Sequence, residues 1–183
     1  MADLHPLRVA ILASDGFEEA ELKEPLAALR EAGAQVDVIG PQAGVIQGFR
    51  HMEPSDRVTA DRSLDEVNPG EYEALMLPGG ALNADFLRAD ERALDFVRQF
   101  DEARKPIAAI CHAPWLLVSA DLVDGRTLTS YHTIQDDIRN AGGNWVDEAV
   151  VRDGNWVTSR QPADLPQFNA AMLALFEHAL AHH

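Results

Sequence analysis

The chain alternates compact apolar runs with stretches in which apolar residues recur every three or four positions. "LRVAILA" (7–13) is apolar almost throughout and stops at Ser14-Asp15-Gly16, the pattern of a buried strand ending in a turn. Leu22, Leu26 and Leu29 repeat at helical spacing, and Gly33 supplies a stop. "QVDVIG" (35–40) reads as the next strand and completes a βαβ unit, whose parallel strands require a right-handed crossover. Residues 44–62 are mixed and suggest no more than a short β excursion around "GVIQGF". "EALMLPGG" (73–80) repeats the strand-into-glycine pattern. Leu94, Phe96, Val97 and Phe100 predict a helix, "PIAAI" (106–110) a strand, and the residues just after Cys111 a further helix. "TLTS" (127–130) predicts a strand and "IQDDIRNAGG" (134–143) a glycine-stopped helix. Asp153-Gly154 is a tight-turn pair, so "AVVRDGNWVTS" (149–159) predicts a two-strand hairpin. An amphipathic helix closes the chain, with Asp164 as its N-cap and Pro166 in its first turn.

Strands alternating with helices over short connections predict an α/β fold: a doubly wound, mostly parallel sheet with a small β-hairpin, in one domain over residues 1–183. A chain of 183 residues buries enough surface to fold without disulfide or metal. The lone cysteine excludes an intrachain disulfide and fits a reducing compartment. The amino-terminal run lacks the basic start of a signal peptide, and no apolar stretch approaches the roughly 20 residues of a bilayer span, so the expected location is cytoplasmic. A formal net charge of −15 repels phosphate backbones and anionic membranes, which speaks against both as partners.

In such a sheet, ligands bind beyond the carboxyl ends of the strands. Three segments should meet there: the acidic stretch from Asp15 to Glu21, the Gly79-Gly80 turn, and the Cys111-His112 turn. An isolated cysteine is ordinarily a small core hydrophobe. Here "PIAAIC" ends a strand and "HAPWLLVSA" opens a helix, the strand–turn–helix layout of a nucleophile elbow. Backbone N–H groups at that turn and near Gly79 and Gly80 could favour a thiolate and hold an oxyanion. His112 is placed to act as base or acid. Glu18 and Glu21, three residues apart, share a helix face, and either could present a protonated carboxyl to the sulfur. Tyr131 and His132 follow another strand end as accessory candidates. His178 and His182 are spaced i, i+4, a pattern that suits an incidental metal but more simply a terminal helix face. No cofactor and no metal site is expected; Trp115, Trp145 and Trp156 read as packing or interface residues.

"DGFEEAEL", "LPGG", "AAICHAPWLL", "LTSYHTIQDDIRNAGGNWVDE" and "VVRDGNWVTSRQPADLPQF" together resemble the PfpI family of intracellular cysteine peptidase-like proteins, nearly end to end. Its superfamily also holds the parkinsonism-associated protein deglycase and is related to class I glutamine amidotransferases. The resemblance implies a flavodoxin-like three-layer sandwich, with Cys111 as nucleophile, His112 beside it, and Glu18 or Glu21 against the sulfur. It assigns oxyanion or substrate binding to Gly79, Gly80 and the Cys111 turn, including Ala113, which replaces the family's usual glycine. It further implies a homodimer or larger ring. The activity it suggests is a general-stress hydrolase, glyoxalase or deglycase acting on small carbonyl compounds or their adducts. The alternatives are an intracellular cysteine peptidase acting on peptides, and a redox sensor or chaperone working through Cys111. Several positions depart from the pattern. Ala84 stands where PfpI peptidases place a triad glutamate, with only Asp85 next to it; Ala81 replaces an arginine, and His132 replaces a proline. The one His-x-Glu triplet, His51-Met52-Glu53, precedes the cysteine, which argues against a glutaminase.

Overall fold

The computed structural model describes residues 2–181. Strand β1 (Arg8–Leu12) leads through the two-residue β2 (Phe17–Glu18) into helix α1 (Glu19–Glu31), and β3 (Gln35–Gly40) returns parallel to β1. An arm follows, made of antiparallel β4 (Gly44–Arg50) and β5 (Glu53–Ala60); β4 also pairs with β2, so the arm is tied to the loop after β1. Next come β6 (Arg62–Ser63), β7 (Ala74–Leu77), α2 (Ala81–Arg88), α3 (Glu91–Glu102) and β8 (Ile107–Ile110). The remainder is α4 (Pro114–Ser119), β9 (Thr127–Leu128), α5 (Gln135–Asn140), β10 (Asn144–Trp145), the hairpin β11 (Val151–Asp153) and β12 (Trp156–Ser159), and α6 (Leu165–Ala181).

Seven strands form the main sheet in the order β11-β12-β8-β7-β1-β3-β6, parallel except for the edge strand β11. Side chains of a strand alternate between faces, and both faces are covered, which is why the strand sequences read as continuous apolar runs. Val9 and Ile11 of β1 and Ala108 and Ile110 of β8 join the core under α1 and α6, with Leu22, Phe168 and Phe176. Ala10, Leu12, Ile107 and Ala109 enter the opposite core under α2, α3, α4 and α5, with Leu87, Phe100, Leu116 and Ile138. The result is the expected flavodoxin-like three-layer α/β sandwich. No helix among the described residues is long and apolar enough to cross a membrane.

The structure departs from the expectations at four places. Residues 44–60 form two full strands instead of a short excursion, and 81–88 form a helix that the pattern did not announce. Only Thr127–Leu128 of "TLTS" is strand, paired with β10 in a separate small sheet. Asp164 does not cap α6: it ends a preceding 3₁₀ turn, and its carboxylate is taken by the Arg160 guanidinium and backbone N–H at 3.0 Å. Pro166 does lie in the first turn of α6.

Candidate functional site

The turn after β8 carries the cysteine in a conformation that side chains rarely adopt. Cys111 has φ of 65°, a left-handed backbone that costs a non-glycine residue about 1–3 kcal/mol. The fold holds it from two sides: its N–H donates to the Ser159 carbonyl of β12 at 3.0 Å, and its carbonyl accepts the Tyr131 N–H at 2.8 Å. The sulfur is thereby lifted off the end of β8, 3.2 Å from His112 Nδ1.

Glu21, on the first turns of α1, is the carboxyl that meets the thiol. It is 0% exposed, and burial, with the negative charge of Glu18 adding, pushes its pKa up to about 8. The thiol and the Gly79 N–H lie close enough to oppose that rise, although neither contact has the geometry of a formed hydrogen bond. Glu21 therefore keeps its proton at neutral pH. Burial also pushes the Cys111 thiol up, and an ionised Glu21 would push it further; the N–H groups of His112 and Gly80 pull it down. A protonated Glu21 cancels the repulsion and offers a proton to sulfur, so thiol and carboxyl titrate as a pair. Gly79 has to be glycine, since a Cβ there would come within 2.7 Å of the Cys111 Cβ and 2.8 Å of the Ile110 carbonyl.

Above the pair opens a cavity of about 330 Å³, lined among others by Glu18, Gly80, His112, Tyr131, Gln161 and Met52. His112 stacks on Tyr131 with ring centroids 4.7 Å apart, and burial, then the charge of His132, lowers its pKa, so it is neutral at pH 7. A hollow of about 410 Å³ at the amino ends of β8 and β12 is larger, but Arg126 there is already bound to Asp153 and Asn155, and among the described residues no thiol or histidine lines it.

The sequence model of the DJ-1/PfpI family matches residues 7–175. This chain belongs to that family. Protein/nucleic acid deglycase 2 of Escherichia coli (strain K12) is 46% identical over 169 residues, which cover 92% of this chain and 96% of that one. General stress protein 18 of Bacillus subtilis (strain 168) is 42% identical over 171 residues, covering 93% and 98%. Among solved structures, Drosophila melanogaster DJ-1beta superposes with a TM-score of 0.84 at 26% identity, covering 100% of this chain and 97% of that one.

Within this DJ-1/PfpI fold the expected site residues sort clearly. Cys111, His112, Glu21, Gly79, Gly80 and Tyr131 converge. Glu18 lines the cavity but does not hold the sulfur; both its oxygens accept the His51 N–H, at 3.1 and 3.0 Å. His132 is exposed and outside the cavity lining; it packs against Tyr131, 4.6 Å away, and acts on His112 through its charge. Ala113 departs from the expectation: it is fully buried in the α2–α4 core, and the Ile110 carbonyl takes its N–H at 3.1 Å, so it offers the cavity no donor. Asp85 is exposed on α2, outside the cavity, while Ala84 is sealed in the core. Among the described residues no group of His, Cys, Asp and Glu could hold a metal, and His182 lies outside them. Sequence reasoning missed His51, Met52, Gln161, Pro162 and the buried Asn83. The first two are brought in by the arm, which "GVIQGF" only hinted at.

Proposed function

We propose that this chain is a stress-associated, cysteine-dependent enzyme that acts on small reactive carbonyl compounds or their adducts. The observation that carries the reading is the fully buried Glu21 carboxyl packed against Cys111 at the floor of a small cavity. Neutral His112 takes the thiol proton as sulfur attacks an aldehyde carbon; the carbon–sulfur bond forms and the carbonyl electrons move to oxygen. The new oxyanion accepts hydrogen bonds from the Gly80 and His112 N–H groups, then the Glu21 proton, giving a hemithioacetal. With a dicarbonyl such as methylglyoxal, proton shifts through His112 convert this adduct to a thioester, and water releases the hydroxy acid. The names carried by the relatives, a deglycase and a general stress protein, agree with such chemistry.

The peptidase alternative fits less well, because no carboxylate among the described residues hydrogen-bonds His112 to complete a triad. The test is turnover of methylglyoxal by wild type and Cys111→Ser. Loss of at least about 10³-fold in the variant is the expected result. Undiminished turnover by Cys111→Ser, or a thioester formed only with peptides and no methylglyoxal consumed, would sink the reading.

A further inference from the structure

We infer that Asn83, outside the reacting groups, is the positioning residue that aims the two glycine N–H groups at the Cys111–Glu21 pair. Asn83 lies on the first turn of α2 and is 1% exposed. Its Oδ1 accepts from the Ser14 backbone N–H at 2.7 Å and from the Ser14 hydroxyl at 3.1 Å. Its Nδ2 donates to the carbonyls of Pro78 and Gly79, both at 3.1 Å. The assignment of the amide is forced: a backbone N–H can only donate and a carbonyl can only accept, so Oδ1 must face Ser14 and Nδ2 the turn.

The consequence lies in the peptide planes. The Pro78 carbonyl shares its plane with the Gly79 N–H, and the Gly79 carbonyl with the Gly80 N–H. Both peptides are trans, so in each the N–H points opposite to the C=O. Pulling both carbonyls toward Asn83 turns the Gly79 N–H toward Glu21 and the Gly80 N–H toward the Cys111 sulfur. The Glu18 N–H assists on the Gly79 carbonyl at 3.2 Å. Through Ser14 the same side chain ties down the loop that delivers Glu18 and Glu21. One buried amide thus sets the mutual alignment of both loops at the nucleophile.

This rests on the carbonyl-enzyme reading only for its turnover readout; thiol alkylation tests it without any substrate. The titratable groups that face the sulfur are Glu21 from α1 and His112; Glu18 from β2 acts on Glu21 and His132 on His112, and all are retained in the variants. The experiment is the pH profile of Cys111 alkylation by iodoacetamide, with kcat and KM for methylglyoxal, in Asn83→Ala, Asn83→Ser and the loop-side control Ser14→Ala. In both Asn83 variants the alkylation midpoint should move to higher pH, with a rate at pH 7 lower by about tenfold and kcat lower by at least as much, while KM stays within about twofold. Ser14→Ala keeps the backbone donor to Oδ1 and should leave the midpoint in place. A folded Asn83→Ala or Asn83→Ser protein with the wild-type midpoint and kcat overturns the proposal, leaving Asn83 a purely structural latch. Should Asn83→Ala fail to fold, Asn83→Ser alone decides. Loss of all activity in Cys111→Ser alongside unchanged Asn83 variants would defeat only this inference, not the enzyme reading.

Discussion

Glu21 retains a proton at a pH where an exposed glutamate has lost it, and folding stability must reflect that. An unfolded chain releases this proton near pH 4.5, whereas the folded one holds it to about 8. Between these values the unfolded state binds fewer protons, so stability falls as pH rises, and the contribution present below pH 4.5 is gone above about 8. Glu21→Gln carries no such proton. Urea unfolding of the variant should be flatter across that window, and its advantage over wild type at the alkaline end should reach a few kcal/mol. Its carbonyl turnover should nevertheless drop by about 10²-fold, since the amide cannot deliver the proton. A variant with the wild-type slope would mean that Glu21 is ionised when folded. That the carboxyl would be one of two was legible in "DGFEEAEL", but the expected shared helix face is not formed: Glu18 stays extended in β2 and only Glu21 sits in α1, against Gly79. Asn83 was illegible, because a buried asparagine looks like any surface one until its partners, Ser14 and Pro78, are brought together by the sheet.

At the scale of elements, the strands with both faces buried announced themselves, because β7, β8 and β1 beyond its first residue, Arg8, are buried on either side and apolar throughout. The arm and α2 did not. Strand β5 is largely solvated and polar, β4 is a glycine-interrupted mix with Val45 exposed, and α2 turns Leu82 and Phe86 outward, 51% and 52% exposed, while burying Asn83 and Ala84. With only Ala84 and Leu87 as apolar residues on its buried face, it lacks the apolar stripe of an ordinary amphipathic helix. The arm places Met52, 94% exposed, at the rim of the cavity. Truncating it removes little buried surface, so Met52→Ala should change unfolding free energy by less than about 0.5 kcal/mol. Its effect should fall on KM with kcat intact, as steady-state kinetics with adducts of different bulk will check. An unchanged KM for every adduct would show that the arm is only a strut.

For the whole molecule, charge decides what can approach. The net charge is −15, Glu18 is in the cavity wall beside the protonated Glu21, and among the described residues no lysine or arginine belongs to that wall. The nearest guanidinium groups in sequence are engaged, Arg50 with Glu19 at 2.7 Å and Arg160 with Asp164 at 3.0 Å. Neutral methylglyoxal should therefore be a better substrate than a phosphate-bearing dicarbonyl by about tenfold in kcat/KM, and added salt should narrow the gap by screening. Equal rates at low ionic strength would contradict this.

The elbow at Cys111 has one more consequence. Its backbone is clamped by Ser159 on one side and Tyr131 on the other, its sulfur is met by Glu21 of α1, and the facing turn is set by a side chain of α2. These pieces lie between Ser14 and Pro162, nearly the length of the chain, so no shorter excised segment contains the site. The environment of the Cys111 thiol belongs to the assembled sheet as a whole and to none of its βαβ units.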